Sequence, residues 1–337
     1  MNGIDVRHLI YHQADTWSAT LAHTHPLRFP GPYVIAGSGS SYYLAQTVAH
    51  YAKILGLKAR AVPSTDLVLD PELTLRDAGS VLLISRSGET SEALWALEQC
   101  HRAERPVTAV SCHPESPLAT QADDVLISPE GEDHTVVMIQ SFTSMLLLLQ
   151  NTIRVTVGLS PLELDWSQFI PNLIAATETI LRDISLPWRR LYVLGGGVRW
   201  GIAQEGMLKS LEMSNEGAWA FRPLEFRHGP WGSVQPDDVV VLLGQVRYQS
   251  YELPLAQDLR KKTPHLISVA QAEWFPSDWV GPQIVLPSTM TDEDLGPIAV
   301  IPLQWLAWRW TMALGHDPDR PKNLTQVVKL DDTQPFV

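Results

Sequence analysis

The chain has 337 residues, of which 45% are hydrophobic and 18% are charged, and its formal net charge is −12 at pH 7. This length exceeds one ordinary domain and allows two that each bury a core. The negative charge disfavours nucleic acid as a partner, and no uninterrupted apolar stretch reaches the roughly 18 to 20 residues of a membrane span. We therefore expect no nucleic-acid or membrane partner, and any anionic ligand must be held by local donors such as helix N-termini.

The cysteines and the first residues indicate the compartment. Cys100 and Cys112 are too few for a disulfide framework, and they lack the paired spacing of a zinc site. Residues 1–7 do not have the basic, then apolar, then small-residue order of a secretory signal. We expect a cytoplasmic protein with no metal and no cofactor.

Residues 1–30 are predicted to form an N-terminal helical arm, because residues 6–21 have helical spacing and prolines follow. A first α/β unit is predicted at residues 31–160. Its apolar runs lie at residues 33–36, 81–85, 107–111 and 125–127, and its helical patterns at residues 42–55, 91–101 and 139–157. Short apolar strands separated by helices indicate a parallel sheet with helices on both faces.

A second α/β unit repeats the first. After a connecting helix within residues 161–189, residues 190–315 have apolar runs at 191–194, 239–243, 266–269 and 284–286, and helical patterns at 201–214, 253–262 and 296–314. The residues Gly37, Gly39, Ala45 and Gln46 recur 158 positions later as Gly195, Gly197, Ala203 and Gln204. Self-similarity at a fixed offset indicates a duplicated unit. A charged tail, residues 316–337, is predicted to close the active site.

The first unit carries hydroxyl side chains where strands end and helices begin. Residues 85–90 (Ser-Arg-Ser-Gly-Glu-Thr) lie between an apolar run and a helical pattern, where free backbone N–H groups and the helix dipole favour an anion. Such residues are also ordinary helix caps. In the second copy, however, Ser85, Ser87 and Thr90 are replaced by Leu243, Gln245 and Tyr248. The fold does not require the hydroxyls, and we predict a phosphate site that includes residues 37–41.

Acid and base candidates lie in the second unit. Lys209 and Glu212 share one helix face, and His228 follows in a Gly-Pro turn. A carboxylate can act as a base, and a histidine can move a proton to or from a sugar oxygen near neutral pH. Spacing alone also fits a solvated ion pair and a turn histidine. It does not select Glu212 over the other glutamates nearby, which are Glu205, Glu216 and Glu225.

Five motifs in order resemble the sugar isomerase (SIS) family. They are Gly37-Ser-Gly-Ser-Ser41, Ser85-Arg-Ser-Gly-Glu-Thr90, Glu205-Gly-Met-Leu-Lys-Ser-Leu-Glu212, Glu225-Phe-Arg-His-Gly-Pro230 and Arg320-Pro-Lys-Asn-Leu324. The resemblance extends from about residue 33 to residue 330 and is strongest to the isomerase half of glucosamine-6-phosphate synthase and to stand-alone glucosamine-6-phosphate deaminases and ketose/aldose isomerases. It implies an α/β fold of two tandem flavodoxin-like SIS domains, each a parallel sheet flanked by helices. It also implies a phosphorylated hexose or amino hexose as substrate.

The resemblance also implies roles for individual residues. Glu212 matches the base that moves a proton between C1 and C2, Lys209 a lysine close to it, and His228 the histidine that assists ring opening from the neighbouring subunit. A homodimer with shared active sites is therefore expected. The substrate-binding positions that the resemblance implies are Ser38, Gly39, Ser40, Ser41, Ser85, Arg86, Ser87, Thr90, Val136 and Gln326.

One departure from the family pattern bears on the reaction. Gln326 occupies the position where the family tail commonly has lysine, and glutamine cannot form a Schiff base with a sugar carbonyl. No glutaminase segment precedes residue 33, so glutamine-dependent synthesis is not expected. The leading prediction is a phosphosugar aldose/ketose isomerase or a glucosamine-6-phosphate deaminase. The alternative is a non-catalytic sugar-phosphate sensor, since SIS domains also serve as ligand-binding regulators.

Overall fold

A computed structural model describes residues 5–162 and 168–330, and it contains two α/β halves, each built on a five-stranded parallel sheet. The expectations for residues 1–4 of the arm, 163–167 of the connecting segment and 331–337 of the tail lie outside the described residues. Within the described residues, no helix is both long enough and apolar enough to cross a bilayer.

The first sheet has the strand order β2-β1-β3-β4-β5. Its strands are β1 Tyr33–Gly37, β2 Ala59–Pro63, β3 Ser80–Ile84, β4 Val107–Ser111 and β5 Asp124–Ile127. The helices up to the end of this half are α1 Val6–His12, α2 Trp17–Leu21, α3 Ser40–Ile54, α4 Ser64–Leu69, α5 Pro71–Leu75, α6 Ser91–Arg102, α7 Pro117–Gln121 and α8 Gln140–Thr156. The strands β1, β3 and β4 are buried along their whole length, as expected for parallel strands covered by helices on both faces.

The second sheet has the order β10-β9-β8-β6-β7, which is the same connectivity. Its strands are β6 Leu191–Gly195, β7 Ala218–Phe221, β8 Val239–Leu243, β9 Leu266–Gln271 and β10 Gln283–Leu286. The remaining helices are α9 Phe169–Leu181, α10 Arg199–Ser214, α11 Pro223–Phe226, α12 Gln249–Leu259, α13 Gly296–Ala299 and α14 Ile301–Ala313. Each strand begins 158 or 159 positions after its counterpart, for example Leu191 after Tyr33 and Ala218 after Ala59. Two tandem α/β domains are therefore confirmed.

The sequence pattern missed the edge strands β2 and β7. In β2 three of five residues are only partly buried, and Arg60 and Pro63 interrupt the apolar pattern. In β7 only Ala218 is buried. Both strands pair with a neighbour on one side only, where exposed polar residues and proline are tolerated. A short strand of this kind gives little hydrophobic signal.

The two halves meet where α3 of the first packs against α10 of the second. At the crossing point, a side chain on Gly201 would collide with the carbonyl oxygen of Tyr43 and with Oγ1 of Thr47. Glycine allows this close approach because it has no Cβ. The contact places the start of α3, which follows the first serine loop, beside the C-terminal half of α10, which carries Lys209 and Glu212.

Candidate functional site

A cavity of about 200 Å³ lies at the C-terminal edge of the first sheet, between the loops after β1 and β3, α10 and the tail. This edge is where open α/β sheets bind ligands. Apart from Lys209 and His228, every residue predicted for the site lines the cavity: Ser38, Gly39, Ser40, Ser41, Ser85, Arg86, Ser87, Thr90, Val136, Glu212 and Gln326. The structure therefore brings the hydroxyl loops and the candidate base to one enclosed space.

The loop of residues 85–90 is held in a tight turn before α6. The hydroxyl of Ser85 accepts a hydrogen bond from the backbone N–H of Gly88 at 3.2 Å and lies 3.3 Å from the hydroxyl of Thr90. Gly88 has a φ of +63°, and Ser116 occupies the space that a Cβ there would need. Glycine is thus required both by the backbone conformation and by close packing. The loop turns its hydroxyls toward the N-terminus of α6, a suitable place for an anion.

The loop after β1 adds a second helix N-terminus. Gly39, with a φ of +55°, immediately precedes α3, whose first residues Ser40 and Ser41 are buried. No acidic residue occurs in the first turn of α3. The positive ends of α3 and α6 therefore converge on the cavity with five serine hydroxyls and the Thr90 hydroxyl around them. This arrangement can hold a dianionic group without a lysine or arginine directly upon it.

A buried group of three ionisable side chains lies beneath the other end of the cavity. Lys209 Nζ contacts Glu212 Oε2 and lies 3.4 Å from Glu205 Oε1. Lys209 and Glu205 are fully buried, whereas the Glu212 side chain is 21% exposed and lines the cavity. The solvated Lys209–Glu212 pair, which spacing alone allowed, is wrong. Lys209 does not line the cavity. It contacts Glu212, which does.

Burial and charge act in opposite directions on this group. Desolvation is the largest influence on Glu205 and raises its pKa to about 7, although Lys209 and the hydroxyl of Ser40 oppose the shift. Desolvation also lowers the pKa of Lys209, but the charges of Glu205 and Glu212 outweigh it, and the pKa of Lys209 lies above its ordinary value. Lys209 is therefore a cation at neutral pH, held between two carboxyl groups.

Arg86 connects the loop of residues 85–90 to the segment before α8 and to the tail. Its guanidinium donates to the carbonyl oxygens of Thr135 at 3.1 Å and Gln326 at 3.1 Å. Asp133, fully buried, lies 3.5 Å from the guanidinium and accepts backbone hydrogen bonds at the N-terminus of α8, including one of 2.7 Å from Gln140. The fork of Arg86 is thus occupied by protein groups, and its side chain positions the tail rather than pointing freely at a ligand.

The tail covers the cavity through contacts with α6 and its preceding loop. The Ser91 N–H donates to the Val328 carbonyl at 3.3 Å, and the Ser91 hydroxyl accepts from the Leu330 N–H at 2.9 Å. An exposed ion pair of 2.6 Å joins Lys329 and Glu89. Gln326 lines the cavity and donates from Nε2 to Glu132 at 3.4 Å. The residue in the family lysine position therefore faces the cavity with an amide.

His228 is exposed and is not among the residues that line the cavity of its own chain. Its backbone N–H donates to Glu225 at 3.0 Å in the turn that follows α11. Its predicted role from a neighbouring subunit stays a prediction.

Sequence reasoning left out part of the cavity and its support. Additional lining residues are Ile84, Glu92, Ala93, Met138, Thr325 and Val328. Glu205 could have been found, because it precedes Lys209 by four positions and Glu212 by seven, which puts all three on one helix face. Asp133 was not identified, because its contact with Arg86 joins residues 47 positions apart, although its other partners lie close by at the start of α8. Among the described residues, no group of three or more His, Cys, Asp or Glu side chains is arranged to hold a metal ion.

Known proteins share this architecture. The chain is 29% identical to the D-galactosamine-6-phosphate deaminase AgaS of Escherichia coli, over 93% of this chain and 90% of that protein. It is 26% identical to a glutamine–fructose-6-phosphate aminotransferase (isomerizing) of Pyrobaculum aerophilum, over 96% of this chain and 57% of that one. It therefore matches little more than half of the aminotransferase.

Solved structures agree in fold. A glucosamine-6-phosphate deaminase from Thermotoga maritima superposes with a TM-score of 0.80 at 23% identity, covering 96% of this chain and 99% of that one. A tagatose-6-phosphate ketose/aldose isomerase from Escherichia coli has a TM-score of 0.76 at 25% identity, over 98% and 96%. The SIS domain model matches residues 32–153 and 186–273, which is more than half of the sequence. The chain belongs to the SIS domain family.

Proposed function

We propose that this protein is a phosphosugar enzyme that moves a proton between C1 and C2 of a hexose or amino-hexose 6-phosphate. The supporting observation is the single cavity that joins an anion site at two helix N-termini to Glu212. Phosphate binding at one end supplies binding energy remote from the reacting carbons, which holds C1 and C2 in register with the carboxylate.

Glu212 is the proposed base. With the substrate in its open form, the Glu212 carboxylate accepts the C2 proton, the C2–H electron pair forms the C1–C2 double bond, and the carbonyl oxygen at C1 takes up a proton. Return of the proton from Glu212 to C1 gives the ketose, or the C2 imine when C2 carries nitrogen. Lys209, buried against Glu212, keeps a positive charge beside the carboxylate through the cycle.

Deamination of an amino-hexose 6-phosphate is the reaction that we favour. Water adds to the C2 imine and ammonia leaves, so the amino sugar phosphate and water give the ketose phosphate and ammonia. This sequence needs no Schiff base with the protein, which is consistent with an amide at Gln326. Relatives at 29% and 30% identity that cover most of this chain are named D-galactosamine-6-phosphate deaminases.

The assembly belongs to the same proposal. His228 lies outside the cavity of its own chain and is exposed. In a homodimer with shared active sites, the turn that carries His228 completes the site of the neighbouring subunit. The imidazole then assists opening of the sugar ring by proton transfer to or from the ring oxygen and the C1 hydroxyl.

A substrate panel in deuterated water tests the reaction. Galactosamine, glucosamine, fructose and tagatose 6-phosphates are incubated with the enzyme, deuterium at C1 and C2 is followed by NMR, and ammonia is measured. Deuterium incorporation together with ammonia from an amino sugar supports the deaminase, and incorporation without ammonia restricts the activity to isomerisation. The absence of deuterium incorporation with every bound sugar phosphate would refute an enzymatic role and leave a binding protein.

A further inference from the structure

A second cleft lies between the two halves, on the other side of the α3–α10 crossing. It has a volume of about 330 Å³, which is within the range of small-molecule sites. The C-terminal half of α3 lines it through His50 and Lys53, the start of α10 through Trp200, and the residue after β7 through Arg222. We call these four residues and the space between them the basic cleft.

The internal duplication relates the basic cleft to the active-site cavity. α3 begins at the active-site cavity and its C-terminal half lines the basic cleft, whereas α10 begins at the basic cleft and carries Glu212 to the active-site cavity. At the offset of 158 positions, Lys53 corresponds to Leu211, the neighbour of Glu212. Glu212 itself corresponds to Ile54, so the duplicated cleft has no counterpart of the carboxylate.

Positive charge is concentrated in the basic cleft, although the chain as a whole carries −12. Within the described residues, neither Lys53 nor Arg222 lies within ion-pair distance of a carboxylate, and the ring of His50 has no hydrogen-bond partner. Arg247 is nearby but is paired with Glu293 at 3.1 Å. Lys53 and Arg222 are exposed, so both can contact an anion in the cleft beside the half-buried imidazole of His50.

The electrostatics of His50 agree with this arrangement. Burial, the largest influence, lowers its pKa, and the charges of Lys53, Arg247 and Arg222 lower it further, whereas Glu293 acts in the opposite direction. Asp66 is the other acidic group close to this region, since its charge acts on Tyr42, which also lines the cleft. At His50 the charges of Lys53, Arg247 and Arg222 therefore outweigh that of Glu293.

Residues 195–197 are the second copy of the glycine loop at residues 37–39. In this copy, protein side chains occupy the place that corresponds to the anion site predicted in the first. The Gln245 side chain donates to the Gly196 carbonyl oxygen at 2.8 Å, and the ring of Tyr248 packs against Gly197. A ligand in this half must therefore be held by the side chains of the basic cleft. The Arg222 guanidinium stacks on the Trp200 ring, with 4.7 Å between its central carbon and the ring centroid, and this contact holds the cation at the cleft.

We propose that the basic cleft is a second ligand site, which binds a small phosphorylated metabolite separately from the substrate. The phosphoryl group lies between Lys53 and Arg222, with His50 at its side. This proposal does not depend on the reaction at Glu212.

Calorimetry on the full chain tests the proposal, with inorganic phosphate and glucose 6-phosphate as probes at constant ionic strength. The double variant Ser87→Ala/Thr90→Ala weakens the active-site anion loop and leaves the basic cleft intact. We expect this variant to retain one binding event per chain. Adding Lys53→Gln and Arg222→Gln should weaken that event at least about tenfold, because two charge-assisted contacts are lost. Lys58→Gln, which removes a nearby exposed lysine outside the cleft, is the matched control.

The His50 imidazole gives an independent measurement. Phosphate in the basic cleft should raise the pKa of His50, measured by NMR titration, and Lys53→Gln should reduce that rise. If the Ser87→Ala/Thr90→Ala variant binds neither probe, or if the cleft and control variants bind equally well, the second site is wrong. Either result leaves the proposed reaction untouched, because the deuterium-exchange experiment uses the active-site cavity alone.

Discussion

Ser40 of the first half donates a hydrogen bond to Glu205 Oε1 of the second half over 3.2 Å. Ser40 begins α3 at the anion loop, and Glu205 is the buried end of the group formed with Lys209 and Glu212. The end of the cavity proposed to bind phosphate and the end proposed for proton transfer are therefore joined by a buried polar contact. A charge change at Glu205 is felt at both ends.

Replacement of Glu212 by glutamine should abolish turnover and C1/C2 deuterium exchange while sugar phosphate still binds. The change removes the base and leaves the hydroxyl loops in place, so kcat should fall by about 10² to 10⁴. Glu216→Gln, an exposed change four positions later, is the control. Near-normal exchange in Glu212→Gln would remove Glu212 from the mechanism.

Loss of the hydroxyl groups of Ser87 and Thr90 should raise KM. Ser87→Ala combined with Thr90→Ala removes two charge-assisted hydrogen bonds to the phosphoryl group, each worth about 1.5 to 3 kcal/mol. We expect KM to rise by at least about tenfold with a smaller change in kcat, as measured by initial rates. Thr65→Ala, an exposed threonine outside the cavity, should leave KM as it is. An unchanged KM in the double variant would place the anion elsewhere.

Glu205 predicts a particular pH dependence of stability. Its pKa is raised from 4.5 to about 7, so between these values the folded state binds more protons than the unfolded state. The contribution of Glu205 to the free energy of unfolding is complete below the pKa of the unfolded state. It is lost as the pH rises through the pKa of the folded state. Glu205→Gln cannot titrate, so its free energy of unfolding should fall less than that of the parent over this pH range in urea melts.

Two control variants show whether the pH dependence of stability belongs to Glu205. Glu252, whose pKa burial also raises to about 7, does not line the cavity, so Glu252→Gln should flatten the same pH range without changing kcat. Glu216→Gln should give a curve parallel to the parent. Parallel curves for Glu205→Gln and the parent would mean that Glu205 does not titrate in this range.

Arg86 should control closure by the tail. Arg86→Lys keeps a positive charge near Asp133 but cannot reproduce the forked bonds to the carbonyl oxygens of Thr135 and Gln326. We expect faster proteolysis of the tail and a higher KM, with folding retained in circular dichroism. Arg102→Lys, on the exposed face of α6, should match the parent in both measurements. Equal cleavage rates for Arg86→Lys and Arg102→Lys would contradict the positioning role.

Complementation tests the shared active site. His228→Ala and Glu212→Gln should each lose activity alone. After unfolding and refolding of an equal mixture, activity should return to about one quarter of the parent, because half of the dimers are mixed and each has one intact site. Failure of the mixture to recover activity would place His228 and Glu212 in the same chain's site, or His228 outside it.

The two repeated cores could be predicted, because the apolar runs of the strands and the repeat at an offset of 158 positions are visible in the sequence. The serine loops were also predictable, since hydroxyls appear in one copy and not in the other. The burial of Glu205 and Lys209 was not, because it depends on packing of α10 against α3 across the two halves. The Arg86–Asp133 contact likewise joins segments 47 positions apart, with no periodic pattern between them.

The absence of a side chain at Gly201 bears on substrate size under the proposed function. There α10 packs directly against α3, and this contact helps to set the spacing between Glu212 and the serine loops. We therefore expect the fold to set the number of carbons between the phosphoryl group and the carbonyl. A tetrose phosphate would be too short to reach the carboxylate, and acquiring such a substrate would require rebuilt loops rather than a shifted helix.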